Sequence, residues 1–194
     1  MNFDEIKARL QNFRVGIAGA GGLGSNCAHA LARSGVGTLV IADFDIVNES
    51  NLNRQFFFYN QIGMKKVVAL KENLLKVNPS VNVIIHEDVL NNENIPLIYT
   101  GCDVIVEAFD GSEMKEMIVG IVSRALPSVP LVIGSGLAGW GRNNDIRSRK
   151  IDEKLYVAGD ETTEISAELP PLAPRVGIVA NMQANIVLDL LLNK

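Results

Sequence analysis

Cysteine is scarce in this sequence. The 194 residues include two cysteines, Cys27 and Cys102, and they form no C-x-x-C pair. A structural zinc site built from paired thiolates is therefore not expected. Each cysteine lies alone in a largely apolar stretch, which is typical of a small core residue rather than a reactive group.

Positive charge and long apolar runs are also lacking. Lysine and arginine total 18 against 22 acidic residues, a net charge of −4, which argues against general nucleic-acid binding. No apolar run reaches membrane-spanning length, and the first ten residues carry acids without an apolar core, so we expect no signal peptide. We therefore predict a cytoplasmic protein with no membrane partner, and its length suits a single domain over residues 1–194.

Glycine is concentrated directly after the first apolar run. Residues 15–18 are expected to form a buried strand, and Gly19, Gly21 and Gly24 follow in the spacing G-x-G-x-x-G. An Ala- and Leu-rich helical pattern begins near Gly22. Such a turn lets a phosphate approach the backbone and directs the positive end of a helix at an anion. A glycine-rich turn without a ligand is the alternative, which the flanking strand and helix make weaker.

Acidic residues follow two of the predicted strands. Asp43 and Asp45 come after the strand predicted over residues 38–42, and Asp43 lies about 20 residues beyond the glycines, where a ribose-binding acid is expected. The alternative is that Asp43 caps a helix or stabilises a turn. Asp110 lies at the carboxyl end of the strand predicted over residues 103–108, where open α/β sheets bind ligands.

A polar stretch that turns abruptly aromatic follows the second strand. Residues 47–58 include Asn51, Arg54 and Gln55 and end in three phenylalanines, 56–58. Arginine suits bidentate phosphate contact, so these donors are expected beside the ligand. The alternative is a solvated loop whose aromatic side chains are buried in the core or in a dimer contact.

Two lysines lie in the first turn of the helix predicted over residues 62–77. Lys65 and Lys66 are cations placed where they oppose the helix dipole. One of them is therefore expected to face an anion, although both could simply be solvated.

Strand and helix patterns alternate along most of the chain. This alternation predicts an α/β fold with a Rossmann-like, doubly wound, mostly parallel sheet. Two short strands over 146–151 and 155–158 predict a short antiparallel C-terminal extension. Residues 159–174 are acidic and proline-bearing and are expected to form a surface loop or lid. A closing helix is predicted over 175–192.

Five segments together resemble the ubiquitin-activating-enzyme superfamily, and most closely its ThiF and MoeB adenylyltransferases. They are G-A-G-G-L-G (19–24), D-F-D (43–45), S-N-L-N-R-Q (50–55), G-M-K-K (63–66) and E-A-F-D (107–110). The S-N-L-x-R-Q element is specific, since ordinary dehydrogenases lack it. G-D (159–160) and A-P-R-V-G (173–177) extend the resemblance to a short ThiF-like branch without the zinc cysteines.

The resemblance implies ATP-dependent adenylation. The C-terminal glycine carboxylate of a small ubiquitin-like sulfur carrier, similar to ThiS, would attack the α-phosphate and release pyrophosphate, as in thiamine thiazole synthesis. The resemblance implies that Asp43 binds the ribose and that Asn51, Arg54 and Gln55 contact the phosphates. It implies that Lys66 neutralises charge at the α-phosphate, Lys65 being less suited by spacing. Asp110 would bind Mg²⁺. The implied nucleotide-binding set also contains Gly19, Gly21, Gly22, Gly24 and Asp45.

The resemblance also implies a homodimer in which an N-terminal arginine acts in the partner's site. Arg9 and Arg14 both qualify, and the dimer surface is expected at residues 56–58 or 111–126. Because no cysteine follows Cys102, we expect adenylation without a covalent cysteine intermediate. An NAD-dependent oxidoreductase, a non-catalytic nucleotide sensor, and a superfamily member acting on a modified tRNA adenosine or a peptide are the alternatives.

Overall fold

A seven-stranded sheet forms the centre of the computed structural model, which describes all 194 residues. The strand order is β3-β2-β1-β4-β5-β7-β6. The strands are β1 (Arg14–Ala18), β2 (Thr38–Ala42), β3 (Asn82–His86), β4 (Val104–Glu107), β5 (Leu131–Gly134), β6 (Arg147–Lys150) and β7 (Leu155–Gly159). The helices are α1 (Phe3–Leu10), α2 (Gly22–Ser34), α3 (Lys66–Val77), α4 (Asn94–Tyr99), α5 (Ser112–Ala125) and α6 (Ala173–Leu192), with 3₁₀ turns at Glu49–Asn51 and Tyr59–Gln61.

Helices cover both faces of the sheet, so the predicted doubly wound α/β architecture is confirmed. One face packs against α2, α3 and α6, where the larger apolar core includes Leu31, Leu70 and Val179. The other face packs against α4 and α5 around a smaller core that includes Tyr99 and Ile118. Strands covered on both sides are almost wholly apolar, as in β2 and β4.

The last two strands join the sheet with opposite orientations. The strand β6 pairs antiparallel with β7, as the sequence predicted. However, β7 itself lies parallel to β5 and so extends the parallel sheet rather than standing apart from it. All four residues of β6 are exposed, and three of them, Arg147, Arg149 and Lys150, are basic.

The last helix is longer and more apolar than the sequence pattern indicated. By length and composition alone, α6 could cross a membrane, which corrects the expectation that no run was long enough. The helix is partly buried, packs along α2, and carries Gln183 into the interior, where Nε2 donates to the carbonyl of Glu107 at 2.9 Å. Core helices meet the same length criterion, so this is weak support for a membrane span.

The helix α3 begins later than the predicted 62–77. Gly63 has a φ of +88°, and Lys65 pairs with Ile46 in an isolated antiparallel bridge, so the chain is extended before the helix starts at Lys66. Lys65 is therefore the N-cap and Lys66 the first helical residue. Further along the chain, segment 160–172 contains no helix or strand, in agreement with the predicted loop.

Candidate functional site

A cleft of about 330 Å³ opens at the carboxyl ends of β1, β2 and β4. The predicted site residues that line it are Gly19, Gly21, Asp43, Asp45, Lys66 and Asp110. Residues brought together from segments far apart in the sequence thus meet at one edge of the sheet, where open α/β folds bind ligands.

The glycine turn requires glycine at two of its positions. Gly19 has a φ of +100°, and an added Cβ would lie 2.9 Å from the carbonyl oxygen of Ala108. A Cβ on Gly24 would overlap the carbonyl oxygen of Gly19. The turn therefore packs directly on the neighbouring backbone, and α2 begins at Gly22 with its free N–H groups at the cleft edge.

Asp43 is fixed by two backbone amides. The N–H of Ala20 donates to Oδ2 of Asp43 at 2.6 Å, and the N–H of Asp45 donates to Oδ1 at 2.8 Å. Asp43 therefore stabilises the glycine turn and also lines the cleft. Each carboxylate oxygen accepts more than one hydrogen bond, so both retain capacity for ligand hydroxyls.

The cation in the cleft is Lys66. Its Nζ lies 2.8 Å from Oδ2 of Asp45, and its backbone N–H donates to the carbonyl of Asp45 at 2.9 Å. Lys65 instead donates from Nζ to the carbonyl of Phe44 at 3.1 Å and does not line the cleft. The structure thus places Lys66, rather than Lys65, where it can meet an anion.

Asp110 has an exposed side chain that makes no hydrogen bond or ion pair within the chain. It lines the cleft and also a second cavity of about 390 Å³. No group of three or more potential protein ligands for a metal is present. A single free carboxylate nevertheless fits Mg²⁺, which commonly takes one or two carboxylates and completes its shell with phosphate oxygens and water.

The remaining predicted residues lie behind or beside the cleft. Gly22 and Gly24 belong to α2, and Arg54 packs its aliphatic stem near Gly22 while Nη1 donates to Ser50 O at 3.1 Å and Asn53 Oδ1 at 2.8 Å. Asn51 accepts a hydrogen bond from Asn48 N at 3.0 Å. Gln55 is buried close to Gly21, and its Oε1 has no partner. None of the predicted residues Gly22, Gly24, Asn51, Arg54 and Gln55 lines the cleft.

The loop that carries Arg54 is attached to the start of α2. Asn26 Nδ2 donates to the carbonyls of Gly22 and Arg54, at 2.7 and 2.8 Å, and the N–H of Phe56 donates to Ser25 Oγ at 3.0 Å. Phe57 is buried in the core, whereas Phe58 is half exposed. The donor-rich loop is therefore held against the N-terminal end of α2.

Sequence reasoning missed one wall of the cleft. Asp88, Val89 and Leu90 follow β3 and line it together with Phe44 and Met114. Their position after the carboxyl end of a third parallel strand was a signal that could have found them. Sequence reasoning also missed the ion pair between Glu107 and Lys115 beneath the Asp110 turn.

The two N-terminal arginines lie away from the cleft, near the amino end of β1. Arg9 donates from Nη2 to the carbonyl of Lys194 at 2.8 Å. Arg14 starts β1, its N–H donates to Asp103 Oδ2 at 2.9 Å, and its buried Nε has no partner. Neither lines the cleft of its own chain, and action in a partner's site stays a prediction.

The two cysteines are buried and unpaired. Burial raises the pKa of Cys27 to about 12. Burial also raises the pKa of Cys102 to about 11, against the opposing effect of Arg14. Because the thiolate is the nucleophile and neither thiol lines the cleft, both behave as core residues.

Comparison with known proteins shows relatives along most of the chain. The chain is 31% identical over 192 residues to the adenylyltransferase and sulfurtransferase UBA4 of Saccharomyces cerevisiae, covering 96% of this chain and 43% of that protein. It is 35% identical over 182 residues to MOCS3 of Caenorhabditis briggsae, an adenylyltransferase and sulfurtransferase, covering 90% and 44%. The chain thus spans less than half the length of these relatives.

Solved structures share the fold at lower identity. The E. coli tRNA N6-threonylcarbamoyladenosine dehydratase TcdA, in complex with ATP, superposes with a TM-score of 0.87 at 19% identity, covering 98% of this chain and 90% of that one. E. coli MccB superposes with a TM-score of 0.74 at 22% identity, covering 96% and 58%. The model of the ThiF family matches residues 3–194, and the chain belongs to that family.

Proposed function

We propose that this protein is an ATP-dependent adenylyltransferase that activates a carboxylate. The observation that carries the proposal is the cleft itself, in which the glycine turn, Asp43, Lys66 and Asp110 surround one space. ThiF-family membership and relatives named as adenylyltransferases support the same reaction.

The charges in the cleft favour ATP bound together with Mg²⁺. Four aspartates, at positions 43, 45, 88 and 110, line it with the single cation Lys66. An unaccompanied polyphosphate would be repelled by this surplus of negative charge. Mg²⁺ bound through Asp110 would supply the missing positive charge at the phosphates.

Each residue then has a defined task in the reaction. The start of α2 receives phosphate oxygens with its free N–H groups, and Asp43 accepts hydrogen bonds from the ribose hydroxyls. Lys66 stabilises the negative charge that develops on the α-phosphate during attack. Arg54, held beside Gly22, donates to Ser50 and Asn53 from Nη1 alone, which leaves Nε and Nη2 as donors for the phosphates.

The second cavity offers a place for the attacking carboxylate. It shares Phe109 and Asp110 with the nucleotide cleft and is bordered by Thr163, Glu164 and Ile165 of the irregular segment 160–172. A flexible chain end lying in this cavity would meet the nucleotide at the shared boundary. A slender C-terminal tail fits such a passage better than a folded surface does.

The substrate we propose is the C-terminal glycine of a ThiS-like ubiquitin-fold sulfur carrier, in a thiamine-related pathway, with the enzyme acting as a homodimer. The names of the curated relatives join adenylyl transfer to sulfur transfer, which supports a sulfur carrier. TcdA is a tRNA N6-threonylcarbamoyladenosine dehydratase, and its likeness to this chain keeps a modified tRNA adenosine as the second candidate. The acidic net charge of −4 disfavours it.

The test is ATP–pyrophosphate exchange with and without a purified ThiS-like protein. Exchange that depends on the carrier, and that Lys66→Ala and Asp110→Ala abolish, would support the proposal. Lys76→Ala, an exposed change at the far end of the same helix, is the matched control and should retain exchange. Carrier-dependent exchange at the wild-type rate in both site variants would refute the assigned roles, and NAD binding with no ATP binding would favour an oxidoreductase.

A further inference from the structure

A buried ion pair lies directly beneath the Asp110 turn. Glu107, the last residue of β4, is 0% exposed, and Lys115 on α5 donates from Nζ to its two carboxylate oxygens at 2.8 and 2.9 Å. Burial raises the pKa of Glu107, and the charge of Lys115 and its hydrogen bonds oppose that rise. A charge this deeply buried requires such a partner.

The pair holds the turn from both sides. The N–H of Phe109 donates to Glu107 Oε1 at 2.6 Å, and Lys115 lies one helical turn into α5. Asp110 therefore lies between two residues bonded to the same buried carboxylate. Lys115 also donates to the carbonyl of Gly134 at 2.9 Å, which joins α5 to the end of β5.

Lys115 is fully occupied by these contacts. An ammonium group has three donor hydrogens, and its partners here are the two oxygens of Glu107 and the carbonyl of Gly134. Although Lys115 borders the second cavity, it has no donor left for a ligand. Its role is therefore to fix geometry rather than to bind an anion.

We propose that Glu107 and Lys115 are positioning residues that hold the Asp110 carboxylate where it can coordinate the nucleotide-bound metal ion. This inference rests on the proposed Mg²⁺-ATP site. Buried ion pairs contribute little net stability compared with apolar residues of the same shape, so a fixed turn is the consequence that distinguishes this pair. Groups that orient a metal ligand are typically worth about 10–100-fold in metal affinity.

The experiment measures ATP affinity by calorimetry, once with Mg²⁺ and once with EDTA, on the full chain. The ratio of the two dissociation constants is the metal-dependent gain. We expect Asp110→Asn to abolish this gain and the neutral pair Glu107→Gln/Lys115→Met to lower it by about tenfold or more. In the neutral pair, the ATP affinity measured in EDTA should stay near the wild-type value, because Asp43, Asp110 and the glycine turn are unchanged.

Three further variants separate loss of positioning from misfolding. Lys115→Met alone leaves a buried carboxylate without its partner and should be the least stable variant, which is why the neutral pair is the principal test. Lys115→Arg keeps the charge and the donors and should retain most of the metal-dependent gain. Glu116→Gln, an exposed change on the same helix, is the control and should behave as wild type.

The outcomes separate this inference from the proposed function. If the neutral pair retains the full gain while Asp110→Asn loses it, the positioning role is refuted and the Mg²⁺-ATP site stands. A parallel loss of affinity in Mg²⁺ and in EDTA would show a general packing defect and also refute it. If the wild-type protein itself shows no metal-dependent gain, both the inference and the proposed role of Asp110 fail.

Discussion

Asp160 and Arg175 form an ion pair whose side chains are only 2% and 3% exposed. Asp160 follows the end of β7, and Arg175 lies in the first turn of α6. Arg175 also donates from Nη1 to the carbonyl of Gly141 at 2.6 Å. The pair thus fixes both ends of the irregular segment 160–172, three residues of which border the second cavity.

Removing one member of this pair should destabilise the protein strongly. Arg175→Met leaves the Asp160 carboxylate buried without its cation, and we expect a loss of about 3–5 kcal/mol in the free energy of unfolding. The double variant Asp160→Asn/Arg175→Met should lose less unfolding free energy than Arg175→Met alone, because it contains no isolated buried charge. Urea denaturation measures both; a double variant that is less stable than Arg175→Met would contradict this account.

The stability contributed by Asp160 should depend on pH. Burial raises the pKa of its carboxyl, but hydrogen bonds from Thr163 and Thr162 and from Arg175 outweigh this and lower it from the ordinary 3.8 to about 2. A carboxyl group whose pKa is lower in the folded state stabilises the fold fully at pH values above 3.8, and this stabilisation is lost as the pH falls towards 2. The difference in unfolding free energy between wild type and Asp160→Asn should therefore be constant near neutral pH and shrink across this acidic window. A difference that persists unchanged below it would contradict the assignment.

Two helical glycines should respond to alanine in opposite directions. A Cβ at position 24 would overlap the carbonyl oxygen of Gly19, so Gly24→Ala should cost about 1–3 kcal/mol or more and distort the turn. Gly177 in α6 has open space around it, and Gly177→Ala should gain about 0.5–1 kcal/mol. Thermal unfolding of the two variants measures both effects, and ATP affinity should fall in Gly24→Ala only.

The two neighbouring lysines should differ in their effect on ATP binding. Lys66→Met removes the cation that lines the cleft, and losing a charged hydrogen bond of about 1.5–3 kcal/mol should weaken ATP binding at least tenfold. Lys65→Met removes an exposed contact to the carbonyl of Phe44 and should change it little. Calorimetric titration with Mg²⁺-ATP measures both constants. Equal losses in the two variants would contradict the assignment of Lys66 as the lysine that faces the phosphates.

The parts of the site that follow from local spacing were predictable from sequence. The glycine turn, Asp43 and Asp110 each follow an apolar run that was predicted to be a buried strand. The doubly wound fold followed from the alternation of these runs with helical patterns. The order of the last two strands in the sheet could not be predicted from this alternation, because the pairing of β7 with β5 depends on contacts between residues distant in sequence.

Features set by tertiary packing were not predictable. Glu107 and Lys115 lie eight residues apart across a turn, a spacing that carries no regular pattern. The direction of Arg54 depends on its packing against α2 rather than on its neighbours in sequence. The start of α3 moved to Lys66 because Lys65 pairs with Ile46, a contact that no helix propensity contains.

The basic strand β6 has a consequence for how copies of the chain can associate. It forms one border of the sheet, and its backbone donors and acceptors on the outer side have no neighbouring strand. Another strand could pair here only by desolvating the charged side chains of this border, and such charges are a common protection against sheet-to-sheet aggregation. Arg147 has no ion pair, whereas Arg149 pairs with Glu161 and Lys150 with Glu153. Pairing of two copies of the chain through β6 is therefore disfavoured, whereas β3, which forms the other border of the seven-stranded sheet, lacks this row of charges.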